Sequence, residues 1–103
     1  MNIYDIGDRR KLGCTIRDED GTLADPDGLV FRLKEPDDTL TYYTYGVDAE
    51  LEKESTGIYH VYFDITQVGA HHWRYDATGD VAAAEESRFW ARTPLVTGDL
   101  GVS

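Results

Sequence analysis

Leu29-Val30-Phe31-Arg32-Leu33-Lys34 decides the fold of this chain, because its large apolar side chains occupy every second position. Side chains alternate between the two faces of a β-strand, so the three large apolar residues of this stretch share one face. Turn-forming sequences bound it on both sides, Asp25-Pro26-Asp27-Gly28 before it and Glu35-Pro36-Asp37-Asp38 after it. The stretch therefore predicts a β-strand with one buried face.

The same period of two recurs before and after this strand. It predicts strands over residues 11–17, 29–34, 41–45, 47–52, 59–63, 71–75 and 87–92. A spacing of about 8–12 residues between short strands is typical of a sandwich. We therefore expect an all-β fold, an immunoglobulin-like antiparallel β-sandwich of about seven strands over residues 1–92, with a small barrel as the alternative.

The apolar side of the predicted strands supplies the expected core. Residues 82–86 have helix-forming composition but are too few for a stable helix, so we interpret them as a loop or a single turn. Residues 93–103 show no clear period and are predicted to be a C-terminal tail that orders on a partner. The predicted core residues are Leu12, Cys14, Ile16, Leu29, Phe31, Leu33, Tyr59, Val61, Phe63, Trp73, Tyr75 and Phe89.

The chain has 103 residues and a net charge of −10, from 20 acidic and 10 basic residues. This charge disfavours direct binding to nucleic acid, which needs a basic footprint, and to an anionic membrane surface. Cys14 is the one cysteine, so no intrachain disulfide can form. No apolar run is long enough to span a bilayer, and no signal peptide is recognisable, so synthesis in the cytoplasm is expected.

Few residues of the sequence indicate catalysis or metal binding. Cys14 lies on the apolar side of its strand, where a thiol behaves as a small hydrophobe rather than a nucleophile. His71 and His72 are neighbours on a strand and point to opposite faces, whereas His60 and His72 share a face if their strands pair. Two histidines without a third ligand are weak support for zinc.

The acidic turns that contain Asp18, Asp20, Asp25 and Asp27 lack the EF-hand spacing, so we interpret them as solvated turns rather than a calcium site. The chain also has no phosphate-binding loop, no nucleophile elbow and no paired catalytic carboxylates. We therefore expect a protein that is not an enzyme and needs no cofactor or metal.

Surface aromatic residues remain as the candidate site. Arg88, Trp90 and Arg92 alternate with apolar residues and are predicted to form an outward stripe. Tyr43 and Tyr45 are assigned to an outward face, as is Tyr62. Because Tyr, Trp and Arg are enriched at protein interfaces, we expect the stripe and the tail to contact a partner protein, with the Tyr43 and Tyr45 face as the second choice. Cross-strand aromatic packing that only supports the sheet is the alternative.

Seven segments taken in order carry a resemblance to a known family. They are residues 4–8 (YDIGD), 25–27 (DPD), 35–37 (EPD), 41–46 (TYYTYG), 55–61 (STGIYHV), 69–75 (GAHHWRY) and 83–89 (AAEESRF). Together they resemble small immunoglobulin-like structural proteins of tailed bacteriophages, encoded among head and head-to-tail genes. The resemblance covers roughly residues 3–92. The chain differs from the family at His71, where the family often has Trp, and in the length of chain after the last strand.

This resemblance implies a non-enzymatic virion component, either a capsid decoration protein or a head-to-tail or neck component. Its partners would be capsid, portal-proximal or tail proteins, or a second copy of itself. The family has no catalytic residues that could be carried over to this chain. The alternative function is an immunoglobulin-like module that contacts carbohydrate or protein on a host surface, because exposed aromatic rings also stack on sugars.

Overall fold

The chain folds into eight β-strands, seen in a computed structural model that describes residues 3–79, 81 and 84–93. No helix occurs in these described ranges, so the expected all-β class is confirmed. Eight strands replace the seven that the sequence predicted, because the short β1 was not anticipated. The strands are β1 (Ile3–Asp5), β2 (Arg9–Thr15), β3 (Gly28–Lys34), β4 (Leu40–Thr44), β5 (Leu51–Ser55), β6 (Ile58–Asp64), β7 (Gly69–Thr78) and β8 (Ala84–Arg92).

The strands form two sheets that share one buried core. The five-stranded sheet has the order β1-β8-β7-β3-β4, and the three-stranded sheet has the order β2-β6-β5. Strands β3, β7 and β8 are consecutive neighbours in the larger sheet, although long stretches of chain separate them in sequence. The residues that face outward from these three strands therefore form one continuous surface.

The core contains most of the residues that the alternation assigned to it. Phe31, Leu33, Val61 and Tyr75 are almost fully inaccessible to solvent. Two predicted core residues, Phe63 and Trp73, lie only partly buried at its margin. Among the described residues, the buried side chains that the prediction missed are Leu51, Ile65, Ala91, His60 and His71.

A buried tyrosine connects the two sheets in the absence of a disulfide. The hydroxyl of Tyr75 on β7 donates a hydrogen bond to the carbonyl oxygen of Leu12 on β2, at 2.5 Å. Its ring packs on that of Phe31, with the centroids 5.0 Å apart. Cys14 is buried and forms no disulfide. The sheets are thus held together by packing and by this hydrogen bond.

The N-terminal segment joins both sheets and departs from the purely antiparallel prediction. β1 pairs with β8 in parallel, with Tyr4 opposite Ala91. The ladder ends where the Ile6 N–H donates to the Arg92 carbonyl, and the next N–H, that of Gly7, donates to Ile65 beside the other sheet. Because the chain changes sheets within these residues, β1 cannot form a hairpin with β2 and pairs instead with the last strand.

Two segments differ from their predicted structure. Residues 47–50 were predicted to begin a strand, but Asp48 folds them into a turn by accepting the Thr44 N–H at 2.8 Å and donating its own N–H to the Thr44 carbonyl. Strand β5 therefore begins only at Leu51. Residues 84–86 were assigned to a loop but belong to β8, because pairing along β7 overrides their helical propensity.

Asp25 fastens the loop before β3 to the second sheet. Its carboxylate accepts hydrogen bonds from the Gly57 N–H and the Tyr59 hydroxyl, both at 2.9 Å, and from Lys53 Nζ at 2.7 Å. The hydrogen bond from Lys53 is the largest of several causes that lower the pKa of Asp25 to about 2. The Asp25 carboxylate is therefore held by hydrogen bonds within the protein.

Candidate interaction surface

The predicted stripe of Arg88, Trp90 and Arg92 lies on the outer face of the five-stranded sheet. The residues between them, Phe89 and Ala91, are buried in the core. Trp90 remains 42 % exposed, and both arginines are exposed. The outward orientation predicted from the alternation is therefore confirmed. Because its two neighbours are fixed in the core, β8 holds the Trp90 side chain on the outer face.

Trp90 has apolar neighbours on the two strands beside it. Its partners in register are Ile3 of β1 and Ala70 of β7. Ile3 is about half exposed. Together these side chains give the corner of the sheet an apolar patch centred on Trp90.

The two arginines of the stripe differ in their partners. Arg92 Nε donates to Asp5 Oδ1 at 3.1 Å, which ties β8 to β1 across the parallel pair. Arg88 stands opposite His72 of β7, and no ion pair of Arg88 is found among the described side chains. Arg92 thus has a structural partner, whereas Arg88 presents its charge to solvent.

Other cations continue the stripe across the sheet. Lys34 of β3 stands opposite His72, and Arg32 of β3 stands opposite Arg74 of β7. Because directly opposed residues share a face, all of them lie on the same side as Arg88. We call this surface the basic face, defined by Arg32, Lys34, Arg74, Arg88 and Arg92 together with Trp90, Tyr42 and Leu40.

Two described acids beside the basic face pair with its cations. Asp76 accepts from Arg74 Nη2 at 2.7 Å and lies 3.6 Å from Arg32 Nε. Asp38, in the turn after β3, is 3.2 Å from Lys34 Nζ. These pairs hold the cationic side chains in place while leaving them about half exposed.

The far margin of the basic face is apolar. Leu40 and Tyr42 of the edge strand β4 are 52 % and 54 % exposed. The Arg32 guanidinium lies 5.9 Å from the centre of the Tyr42 ring, within the range of a cation–π contact. The face thus has aromatic or apolar residues at two opposite corners and cations between them.

Two shallow depressions join along the middle of the basic face. One, of about 230 Å³, lies between Leu40 and Tyr42 on one side and Arg74 on the other. The second, of about 270 Å³, reaches Trp90 and is also lined by Glu35 and Asp38. Lys34 and His72 line both depressions, which therefore adjoin across β3 and β7, and we call the two together the trough.

Tyr43 and Tyr45 do not belong to this surface, and the outward assignment of Tyr43 was wrong. Tyr43 stands opposite the core residue Phe31 and stacks on its ring at 6.1 Å, because directly opposed residues share a face. Burial raises the pKa of its hydroxyl. Tyr45 is 43 % exposed, but its ring edge contacts Tyr59 on the core side of the sheet.

The other candidate groups are dispersed. His60 and His72 lie on different sheets, so they cannot share a face, and His71 is buried against Phe89 with the rings stacked at 4.6 Å. The His60 ring lies between carboxylate oxygens of Glu52 and Glu54, at 3.1 Å from each. Among the described residues, no three His, Cys, Asp or Glu side chains converge in a group that could hold a metal ion.

Sequence reasoning missed the part of the basic face that lies outside β8. Arg32 and Lys34 alternate with Phe31 and Leu33, so their outward orientation was available from the period of two. What the sequence did not provide was the adjacency of β3, β7 and β8. Of the predicted tail, residues 93–103, the structure describes only Thr93, and residues 94–103 lie outside the described residues.

Comparison of the chain with protein-family models and with curated proteins finds no match in either case. Within the described ranges, no helix has the length and apolar character required to cross a membrane.

Proposed function

We propose that this chain is a non-enzymatic structural protein of a tailed-bacteriophage particle, either a capsid decoration protein or a head-to-tail component. In this proposal it is made in the host cytoplasm and binds neighbouring virion proteins through the basic face. One observation carries the proposal: Trp90 is held exposed between two arginines by a strand whose intervening residues are locked in the core. Rigid exposed Trp and Arg residues are frequent binding hot spots.

The strand order supports an immunoglobulin-like topology for this chain. Strands β8-β7-β3-β4 follow the order G-F-C-C′ of a variable-type immunoglobulin sheet, and β2-β6-β5 follow B-E-D of the other sheet. The disulfide of antibody domains has no counterpart, and the hydrogen bond between Tyr75 and Leu12 connects the sheets instead. This arrangement agrees with the family suggested by the sequence resemblance.

Binding through a face is favoured over binding through a sheet edge. At the end of edge strand β4, the Thr44 N–H is occupied by Asp48. The other sheet ends in β5, whose sequence Leu51–Ser55 is largely charged, and in β2, which begins with the three cations Arg9, Arg10 and Lys11. Strand β1 has only three residues. Charged, capped or short edges resist the addition of another strand. The basic face is therefore the better surface for a partner.

A second function, contact with carbohydrate on a host surface, is supported by the exposed rings of Trp90 and Tyr42. Sugar binding commonly uses aromatic rings as stacking platforms, and the trough between the two offers polar groups. The two functions are separated by a glycan-binding assay on the purified protein. Glycan binding that is lost in Trp90→Ala would favour the host-surface function.

The structural function is tested by particle loading. Phage particles that lack the chain would be supplied with the wild-type protein, Trp90→Ala or Tyr62→Ala, and the bound copies per particle would be counted by mass spectrometry. Tyr62 is the matched control, because it is 47 % exposed on the opposite sheet. Removing a hot-spot aromatic side chain costs about 2 kcal/mol of binding free energy, which weakens binding about thirtyfold.

We expect Trp90→Ala to load poorly and Tyr62→Ala to load like the wild type, with both variants showing a folded circular dichroism spectrum. If the wild-type protein is absent from purified particles, the chain is not a virion component. If Trp90→Ala loads at the wild-type level, the protein contacts its neighbours through another surface.

A further inference from the structure

We propose that the basic face binds a short, extended, acidic segment of a neighbouring protein, with apolar side chains at both ends of the segment. The segment would lie in the trough and cross β8, β7, β3 and β4. This inference rests on the proposed function only in assigning the neighbour to the virion, since the chemistry of the segment follows from the surface itself.

Charge separation within the chain is the first argument. The basic face carries five of the ten Lys and Arg residues, while four described acids lie on or beside it, namely Asp5, Glu35, Asp38 and Asp76. Taking these from the totals leaves five bases and sixteen acids for the rest of the chain. Among the described side chains the face is therefore positive by one charge on a strongly acidic protein, which makes it the surface most complementary to carboxylates.

The arrangement of the ion pairs is the second argument. Asp76 Oδ1 lies 2.7 Å from Arg74 Nη2, and Asp38 Oδ1 lies 3.2 Å from Lys34 Nζ. These cationic side chains are therefore positioned before a partner binds. Arg88, which has no ion pair among the described side chains, stands opposite His72, and His72 lines both depressions. Carboxylates placed there would meet preorganised donors without first breaking the structure of the sheet.

The dimensions of the trough set the length of the segment. Trp90 on β8 and Leu40 on β4 are three strand spacings apart, or roughly 15 Å at about 4.8 Å per spacing. An extended chain covers this distance with about four or five residues. One apolar side chain would contact Trp90 and another would contact Leu40 and Tyr42, with two or three carboxylates between them near Lys34 and Arg88.

The charge of the whole chain makes other occupants less favourable. A second copy would bring a net charge of −10 toward a molecule of the same charge, and a nucleic acid would meet the same acidic surroundings. A short acidic segment avoids most of this repulsion, because its charge is concentrated on the basic face alone.

The test uses fluorescence polarisation with the purified full chain. The probe is a fluorescein-labelled peptide of about eight residues, long enough to span the trough, in which two leucines flank a run of glutamates. A second peptide carries lysines in place of the glutamates. The protein variants are Arg88→Glu and Trp90→Ala, with Arg9→Glu and Tyr62→Ala as matched controls on the opposite sheet.

We expect the acidic peptide to bind the wild-type protein at least about tenfold more tightly than the lysine peptide, and to weaken as salt is raised. Arg88→Glu should reduce its affinity about tenfold and Trp90→Ala about thirtyfold, whereas the control variants retain it. Equal binding of the two peptides overturns the proposal, as does an equal loss in Arg88→Glu and Arg9→Glu.

Sedimentation of the wild-type protein tests the competing occupant. Self-association that is abolished by Arg88→Glu would place a second copy on the basic face and would also overturn the proposal. Particle loading separates the proposed structural function from the proposed acidic partner segment. If Trp90→Ala fails to load and Arg88→Glu loads normally, the structural function stands and the acidic partner does not.

Discussion

The hydrogen bond from Tyr75 to Leu12 joins the two sheets, and its removal tests whether it contributes in place of a disulfide. Tyr75→Phe deletes only the hydroxyl. The ring keeps its contacts with Phe31 at 5.0 Å and Trp73 at 5.8 Å, so no large cavity is created. The substitution leaves the Leu12 carbonyl without the donor that it has in the native structure.

The expected cost follows from burial. Tyr75 is 1 % exposed, so solvent water cannot replace the lost hydroxyl without opening the core. A buried acceptor left unpaired costs about 1–3 kcal/mol. A loss of about 2 kcal/mol corresponds to a fall in Tm of about 8–16 °C for a domain of this size.

The assay is urea unfolding followed by circular dichroism, together with thermal melting. Tyr62→Phe is the control, since its hydroxyl belongs to an exposed side chain and its loss should change the free energy of unfolding by no more than about 0.5 kcal/mol. A Tyr75→Phe protein as stable as Tyr62→Phe would refute the reasoning, because the sheets would then be held by apolar packing alone.

Three further predictions concern single groups. The Asp25 carboxyl has a pKa of about 2 in the folded protein and about 3.9 in the unfolded chain, so its charged form stabilises the protein above about pH 4 and this contribution is lost as the pH falls to about 2. In melting experiments, Asp25→Asn should therefore lose less stability than the wild type between about pH 4 and about pH 2. Burial lowers the pKa of His71 in the folded protein, so on acidification the unfolded chain takes up a proton at this residue before the folded protein does. Tm should therefore fall as the pH drops below about 6.5. A His71→Phe protein that shows the same fall in Tm would contradict this. Gly57→Ala should cost more than about 2 kcal/mol, because the residue has a φ of 75° and the new Cβ would lie 2.6 Å from the Ile16 carbonyl oxygen. Gly7→Ala, with a φ of 97° and open space around it, should cost less, and equal losses would show that the contact is unimportant.

The sequence predicted the strands well where one face is buried. Phe31 and Leu33 alternate with Arg32 and Lys34, and the structure places the first pair in the core and the second on the surface. This succeeds because a strand has a period of two whatever it pairs with. The period also held in β4, but the choice of the Tyr43 side as the outward one was wrong, because which side faces the core depends on the partner strand.

Turns and edges were less predictable for a physical reason. Residues 47–50 have an alternating pattern, yet a local hydrogen bond between Asp48 and Thr44 outweighs it. Strand β1 has only three residues, too few for a recognisable period, and it exists because β8 offers a free edge beside it. Such features are decided by competition between local and tertiary hydrogen bonds.

The sequence by itself determined the all-β class, the absence of a disulfide and the outward orientation of Arg88, Trp90 and Arg92. Only the tertiary structure decided that Arg32, Lys34 and Arg74 lie beside them, because strand order depends on how distant segments pair and not on the period within any one of them. The stripe is a property of one strand, whereas the basic face and its trough are properties of four.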